Sequence, residues 1–191
     1  EFPLSVWQTG SGTQTNMNLN EVLARRGSEL LAFSNQKRKI IHPNDHCNLG
    51  QSSNDTYPTA MHIAAFMKLR EFFIPAVNSL LDTMLSKSSE FSDIVKIGRT
   101  HSMDATPMTL GQEFHTFGQQ IKHNLQRVIL ASESLLELPQ GGTAVGTGLN
   151  TREGWDQKIV SELATLTGID FRPAKSKFEH MSSHDALVAL A

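Results

Sequence analysis

From Thr59 to Leu69 the chain places Ala60, Met61, Ile63, Ala64, Ala65, Phe66, Met67 and Leu69 in a run too apolar for a surface helix, which predicts a core helix. Just ahead of it, Gln51-Ser52-Ser53-Asn54-Asp55 supplies the side chains that cap helix N-termini, so the helix is expected to begin at Ser53 or Asn54. Pro58 is then expected in the first turn, where no intrahelical N–H partner is lost. The pattern carries the helix past Phe72 and Phe73, where Pro75 kinks or splits it, and Ala76, Val77, Leu80, Leu81, Met84 and Leu85 resume a 3–4 spacing. The most regular stripe is Leu110, Phe114, Phe117, Ile121, Leu125, Val128 and Leu135. It predicts a helix from about Thr109 to Leu138, ended by Pro139 and Gly141; roughly 30 residues at about 1.5 Å each make a rod of about 45 Å. Shorter helices are expected over Asn20 to Phe33, Trp155 to Thr167 with Gly168 closing it, and Phe178 to Ala191. Val95 to Pro107 reads as one short extended segment. The fold class that follows is mainly α, with the long rod packed in a helix bundle, across subunits as well as within one.

Composition narrows the partners. The chain has 191 residues, 39% of them hydrophobic, enough to bury a core as one or two domains. Lys plus Arg number 17 against 19 Asp plus Glu, and no basic block is present to hold a phosphate backbone, so nucleic acid is not an expected partner. No apolar run is long enough to span a bilayer, so neither is a membrane. The single cysteine, Cys47, excludes an internal disulfide framework and fits a reducing compartment. The chain opens on Glu1-Phe2-Pro3-Leu4 and stops within the apolar Ala186-Leu187-Val188-Ala189-Leu190-Ala191, from which an internal stretch of a longer protein is expected.

The candidate chemistry lies in the polar connections. Residues 8–18, with Gly10, Ser11, Gly12 and Thr13, form an expected loop in which backbone N–H groups and hydroxyls can approach an anion; no Gly-Lys-Ser/Thr follows, so it is not a nucleotide loop. Ser52, Ser53 and Asn54 stand at a helix entrance, where free N–H groups and the positive dipole end suit a carboxylate. In Ile41-His42-Pro43-Asn44-Asp45-His46 the two histidines are four apart, but Pro43 opposes a continuous helix and no Glu follows the first His, so metal is not expected; with Lys39 nearby, this turn could hold a second anion. His101, in Gly98-Arg99-Thr100-His101, emerges among polar neighbours and suits proton transfer near neutrality. Gly141 to Asn150 is a second Gly/Thr loop. His180 and His184 are expected on one helix face, as packing rather than metal ligands. Taken singly, each of these segments is more simply a cap, a turn or a structural histidine.

Together they are specific. Thr-Gly-Ser-Gly-Thr-Gln at 9–14, His-Pro-Asn-Asp at 42–45, Gln-Ser-Ser-Asn-Asp at 51–55, Gly-Arg-Thr-His at 98–101 and Gly-Gly-Thr-Ala-Val-Gly-Thr-Gly-Leu-Asn at 141–150 resemble the fumarase/aspartase superfamily in order and spacing along nearly the whole chain. Ser53 and His101 incline the resemblance to the class II fumarases, since aspartases typically show Ser-Thr-Asn and Gly-Arg-Thr-Gln there. The resemblance implies a long-helix bundle of the fumarase/aspartase type, incomplete in this chain, with residues 1–51 ending an N-terminal domain and 52–191 opening the central helical domain. It implies a lyase without metal or other cofactor, adding water anti across fumarate to give (S)-malate through an aci-carboxylate. The assembly implied is a homotetramer whose active sites each draw on three subunits, with the cytoplasm as the expected compartment and the mitochondrial matrix as the alternative. Ser11, Gly12, Thr13, Ser52, Ser53, Asn54 and Thr100 would bind the dicarboxylate, and His101 would act through a water as general acid. Lys39, His42, Asn44 and Asp45 would form an accessory carboxylate site. The superfamily's third signature, a Ser-Ser loop followed by Met-Pro-Gly-Lys and Asn, does not occur in these 191 residues, so the chain by itself is expected to be inactive. The alternatives are an aspartase-type ammonia lyase and a non-catalytic helical assembly module.

Overall fold

The computed structural model describes residues 2, 4, 5, 7, 10–33 and 40–191. The chain forms two compact units, one from residues 1–64 with 134–189 and 191, the other from residues 65–133 with Leu190.

In the first unit, α1 (Thr13–Phe33) starts well before the expected Leu19 or Asn20. The Gly12 carbonyl accepts the Asn16 N–H at 2.9 Å, and Gly12 itself sits at φ +74, so the loop ends and the helix begins there. Apolar periodicity missed this start because the buried stripe is polar: Asn16 and Asn20 lie ahead of Ala24, and both amide groups donate to Asn48 Oδ1 at 3.0 Å. A five-residue π-type turn, Pro43–Cys47, carries Pro43 at its first position, where a missing N–H costs nothing. The next helix, α2 (Ser53–Lys68), begins where expected. Pro58 is, however, its sixth residue and withholds the N–H that would reach the Asn54 carbonyl, so it stands beyond the first turn. The expected core face is also different. Asp55, Thr59 and His62 are the buried side of α2, while Met61 and Ile63 are half-buried and Ala60 and Ala64 exposed. Hydrogen bonds explain the preference: Thr59 Oγ1 donates to the Asp55 carbonyl at 2.8 Å, and His62 Nδ1 lies 3.0 Å from the Glu137 carbonyl.

Leu135, Leu138, Val160, Ile169, Phe171 and Ala174 form the apolar core of this unit. They are gathered by β3 (Glu137–Leu138), α5 (Trp155–Thr167) and β4 (Arg172–Pro173), with β3 and β4 parallel and Leu138 opposite Pro173. Gly168 ends α5 at φ +63, as expected of a C-terminal glycine. The helix expected over Phe178 to Ala191 is instead two, α6 (Lys177–Ser182) and α7 (Asp185–Val188). Ser183 is extended and its hydroxyl accepts the Asp185 N–H at 3.2 Å, a local bond that competes with the helix, so His180 and His184 do not share one helix face.

In the second unit a π-type turn, Leu69–Phe73, precedes α3 (Ile74–Glu90), which carries Pro75 at its second position. The expected disturbance at Pro75 is thus a wider turn rather than a stop. The segment expected to be one extended stretch folds back on itself as an antiparallel hairpin, β1 (Val95–Thr100) and β2 (Met103–Thr109). Thr109 then opens α4 (Leu110–Ser132) with a capping box: its hydroxyl accepts the Gln112 N–H at 3.1 Å and the Gln112 side chain accepts the Thr109 N–H at 3.0 Å. At 23 residues, α4 is shorter than the expected rod. Beyond Ser132 the chain tightens into a 3-10 turn, Glu133–Leu136, and passes into β3, because Leu135 and Leu138 are claimed by the core rather than by the stripe. The helices α3 and α4 pack side by side, with the Phe91 and Phe114 rings edge to face at 5.3 Å.

Candidate active site

The entrance to α2 is organised by one carboxylate. Asp55 is wholly buried, and its Oδ1 accepts the Ser52 N–H at 2.8 Å while the Ser52 hydroxyl accepts the Asn54 N–H at 3.2 Å, a reciprocal cap on the helix. Its Oδ2 accepts the Gly141 N–H at 3.0 Å and the Thr143 N–H at 2.8 Å, which brings the second Gly/Thr loop onto the first turn of α2. Burial pushes this carboxyl above the usual aspartate range, and the Ser52, Thr143 and Gly141 N–H groups and the Thr56 hydroxyl pull it back. The loop adopts what this grip demands: Thr143, a residue with a Cβ, sits at φ +58.

Around that entrance a cleft of about 460 Å³ is lined by Ser11, Ser53 and Asn54, with Tyr57, Ala144, Phe178 and His184 completing the wall. Thr13 joins through its hydroxyl, 3.1 Å from that of Ser53. Gly12 lies against Tyr57, whose ring would collide with any Cβ at that position. Asn54 Nδ2 donates to the Ala144 carbonyl at 2.7 Å. Four of the expected dicarboxylate ligands, Ser11, Thr13, Ser53 and Asn54, are therefore gathered from segments 40 residues apart at the positive end of a 16-residue helix. Ser52 faces elsewhere. It lines a neighbouring cleft of about 340 Å³ together with Asn44, Asp45, Thr143 and Ala144, so two of the expected accessory residues, without His42, meet the second Gly/Thr loop there.

His42, Asn44 and Asp45 are exposed on the Pro43–Cys47 turn, and Lys39 lies outside the described residues. His42 Nδ1 accepts the Asp45 N–H at 3.1 Å and His46 Nδ1 accepts the His42 N–H at 2.8 Å, so both imidazoles serve the turn. Among the described residues no group of three or more His, Cys, Asp or Glu side chains is placed to hold a metal ion.

Thr100 and His101 belong to the second unit. Thr100 ends β1 opposite Met103, and His101 and Ser102 make the two-residue connection at φ +48 and +58, the signs a tight hairpin turn of this hand requires. His101 is exposed at the tip, in a conformation that residues with a Cβ seldom adopt.

A family model described as Lyase matches residues 1–191. The chain belongs to this lyase family. Among its relatives, a class II fumarate hydratase from Nitrosomonas europaea is 58% identical over 188 residues, covering 98% of this chain and 41% of the relative. A mitochondrial fumarate hydratase from Homo sapiens is 54% identical over 190 residues, covering 100% of this chain and 37% of the relative. A crystal structure of recombinant class II fumarase from Schistosoma mansoni matches with a TM-score of 0.91 at 43% identity, covering 98% of this chain and 42% of that one. The chain thus spans about two fifths of the length of these lyases, and the resemblance to class II fumarases carried by the five motifs is borne out, with the helical fold.

Beyond a place in the capping segment the sequence pattern assigned Asp55 no role, and it singled out neither Thr143 nor Ala144 within the second Gly/Thr loop. A signal was present: the Ser52-x-x-Asp55 spacing is that of a capping box. Nothing in it announced that the same carboxylate would also hold a loop 86 residues away.

Proposed function

We propose that this chain contributes, as a portion of a longer protein, the fumarate-binding half-sites of a fumarate hydratase that reversibly adds water to give (S)-malate. The observation that carries the reading is the convergence of Ser11, Thr13, Ser53 and Asn54 on one cleft at the entrance to α2. The high identity to proteins named fumarate hydratase supports it. Removing the proton beside a carboxylate builds an aci-carboxylate dianion, and a site without metal stabilises that charge with donors fixed in advance. Hydroxyls, the Asn54 amide and the α2 N-terminus are donors of that kind. Gly12 contributes by its backbone, Ser52 from the neighbouring cleft, and Thr100 from the hairpin. His101 is the general acid, delivering its proton through a water to the departing hydroxyl. His42, Asn44 and Asp45, with Lys39, form an accessory carboxylate site.

Residues 1–51 close an N-terminal domain and 52–191 open the helical one, and the protein is a homotetramer in which each active site draws on three subunits. An aspartase-type ammonia lyase would need the amine as co-substrate, and an assembly module would need no histidine at the tip.

In the full-length protein, fumarate hydration followed by ultraviolet absorbance should be readily detected without added amine. His101→Asn should lower kcat by about 100-fold or more with the oligomer intact. Dependence on ammonia would favour the ammonia lyase, and unchanged turnover in His101→Asn would remove His101 from the mechanism.

A further inference from the structure

The proposed chemistry leaves idle the most constrained charge in the first unit. Asp55 lines neither cleft, yet its neighbours in sequence and space line both: Asn54 on one side, Ser52 and Thr143 on the other, and Ala144 on both. We propose that Asp55 is a positioning residue for dicarboxylate binding, holding the α2 entrance and the 141–144 loop at the spacing the substrate's carboxylate requires. This rests on the reading of the larger cleft as the fumarate site.

The contacts all run one way. Oδ1 receives the Ser52 N–H; Oδ2 receives the Gly141 and Thr143 N–H groups and, at 3.5 Å, the Gln140 amide; the Thr56 hydroxyl, 3.3 Å from Oδ1, shares its proton with the closer Gln51 Oε1 at 2.6 Å. Each carboxylate oxygen thus faces at least one backbone N–H. A carboxylate answers such a shell with two acceptor oxygens, whereas an asparagine of the same shape would turn an NH2 group against at least one N–H. A buried charge is a costly way to staple a loop if stapling is all that is needed. The link to the cleft is short. Thr143, at φ +58, gives its N–H to Asp55, and the carbonyl of the following residue, Ala144, is what Asn54 Nδ2 grips at 2.7 Å. Release of the Thr143 N–H lets that residue relax toward negative φ, which swings the Ala144 carbonyl and with it the Asn54 amide. The ligand pocket would lose its geometry without losing a ligand.

The test is Asp55→Asn in the full-length protein. KM for fumarate should rise by roughly ten-fold or more, the worth of a buried donor left facing a donor, while kcat stays within about three-fold and its pH profile is unchanged. Asn54→Ala should raise KM too, and the double variant should add little beyond the larger single effect, because the two act through one contact. Should Asp55→Asn fail to fold, Gln140→Leu removes a weaker donor from the same shell and should raise KM by about two- to five-fold. An Asp55→Asn protein with a lowered melting temperature and wild-type KM would make the residue a plain structural clamp and overturn the proposal. So would fully multiplicative effects in the double variant, or a Gln140→Leu protein with unchanged KM where only that variant folds. A wild-type protein that does not turn over fumarate would instead sink the reading of the cleft.

Discussion

His62 is an imidazole kept from water: 1% of its surface is exposed, and its Nδ1 is tied to the Glu137 carbonyl. Burial holds its affinity for a proton below the usual histidine range, the Glu137 bond opposes this, and the His180 charge across a ring separation of 6.1 Å adds to the lowering. The unfolded chain therefore takes up this proton before the folded one does. The stability His62 contributes is present above about pH 6.5 and is lost as pH falls below it toward the folded value, at up to about 1.4 kcal/mol per unit. Urea midpoints between about pH 7 and 5 should fall on this account. In His62→Asn, whose amide nitrogen stands in for Nδ1, the decline should be shallower; an unchanged slope would assign the decline to other groups. Single residues were also where the sequence said least. His101-Ser102 contains neither Gly nor Asn, the usual marks of a two-residue hairpin turn, so a fold-back looked like a straight run.

Among the elements, α3 and α4 were legible because their packing is apolar and periodic, and α5 because a glycine stops it. The start of α1 and the inner face of α2 were not, since Asn16, Asn20, Asp55, Thr59 and His62 hide polar atoms that hydrophobic patterning counts as surface. The far end of α4 was misread for the opposite reason: Leu135 continues the stripe in sequence but belongs to another core. The α3–α4 contact makes a sharp distinction between two glycines. A Cβ at Gly118 would stand 3.1 Å from a methyl of Leu85, which can turn aside, whereas one at Gly111 would meet the backbone of Ser88 and Ser92, which cannot. Gly118→Ala should be near neutral or slightly stabilising, since alanine gains about 1 kcal/mol of helix propensity. Gly111→Ala should cost about 1–3 kcal/mol net in chemical unfolding. Equal effects at the two positions would contradict the packing described.

For the whole molecule, the candidate site was legible only as a set. No single loop pointed to a family, and the five motifs in order did, because turns and caps recur anywhere whereas that order and spacing do not. If the active site takes groups from three subunits, and this chain spans about two fifths of its relatives, the 191 residues alone should hydrate no fumarate above background. Measurable turnover by the isolated chain would show that its own loops suffice. The 86 and 88 residues that separate Asp55 from its partners Gly141 and Thr143 also bear on biosynthesis. A nascent polypeptide exposes the acidic group long before the amides that neutralise it have left the ribosome, and loop-closure entropy must be met before they can join. A chain ending short of Thr143 would leave the Asp55 carboxylate at the α2 entrance without one of its backbone partners, so closure of the 141–143 loop onto that helix waits on translation itself.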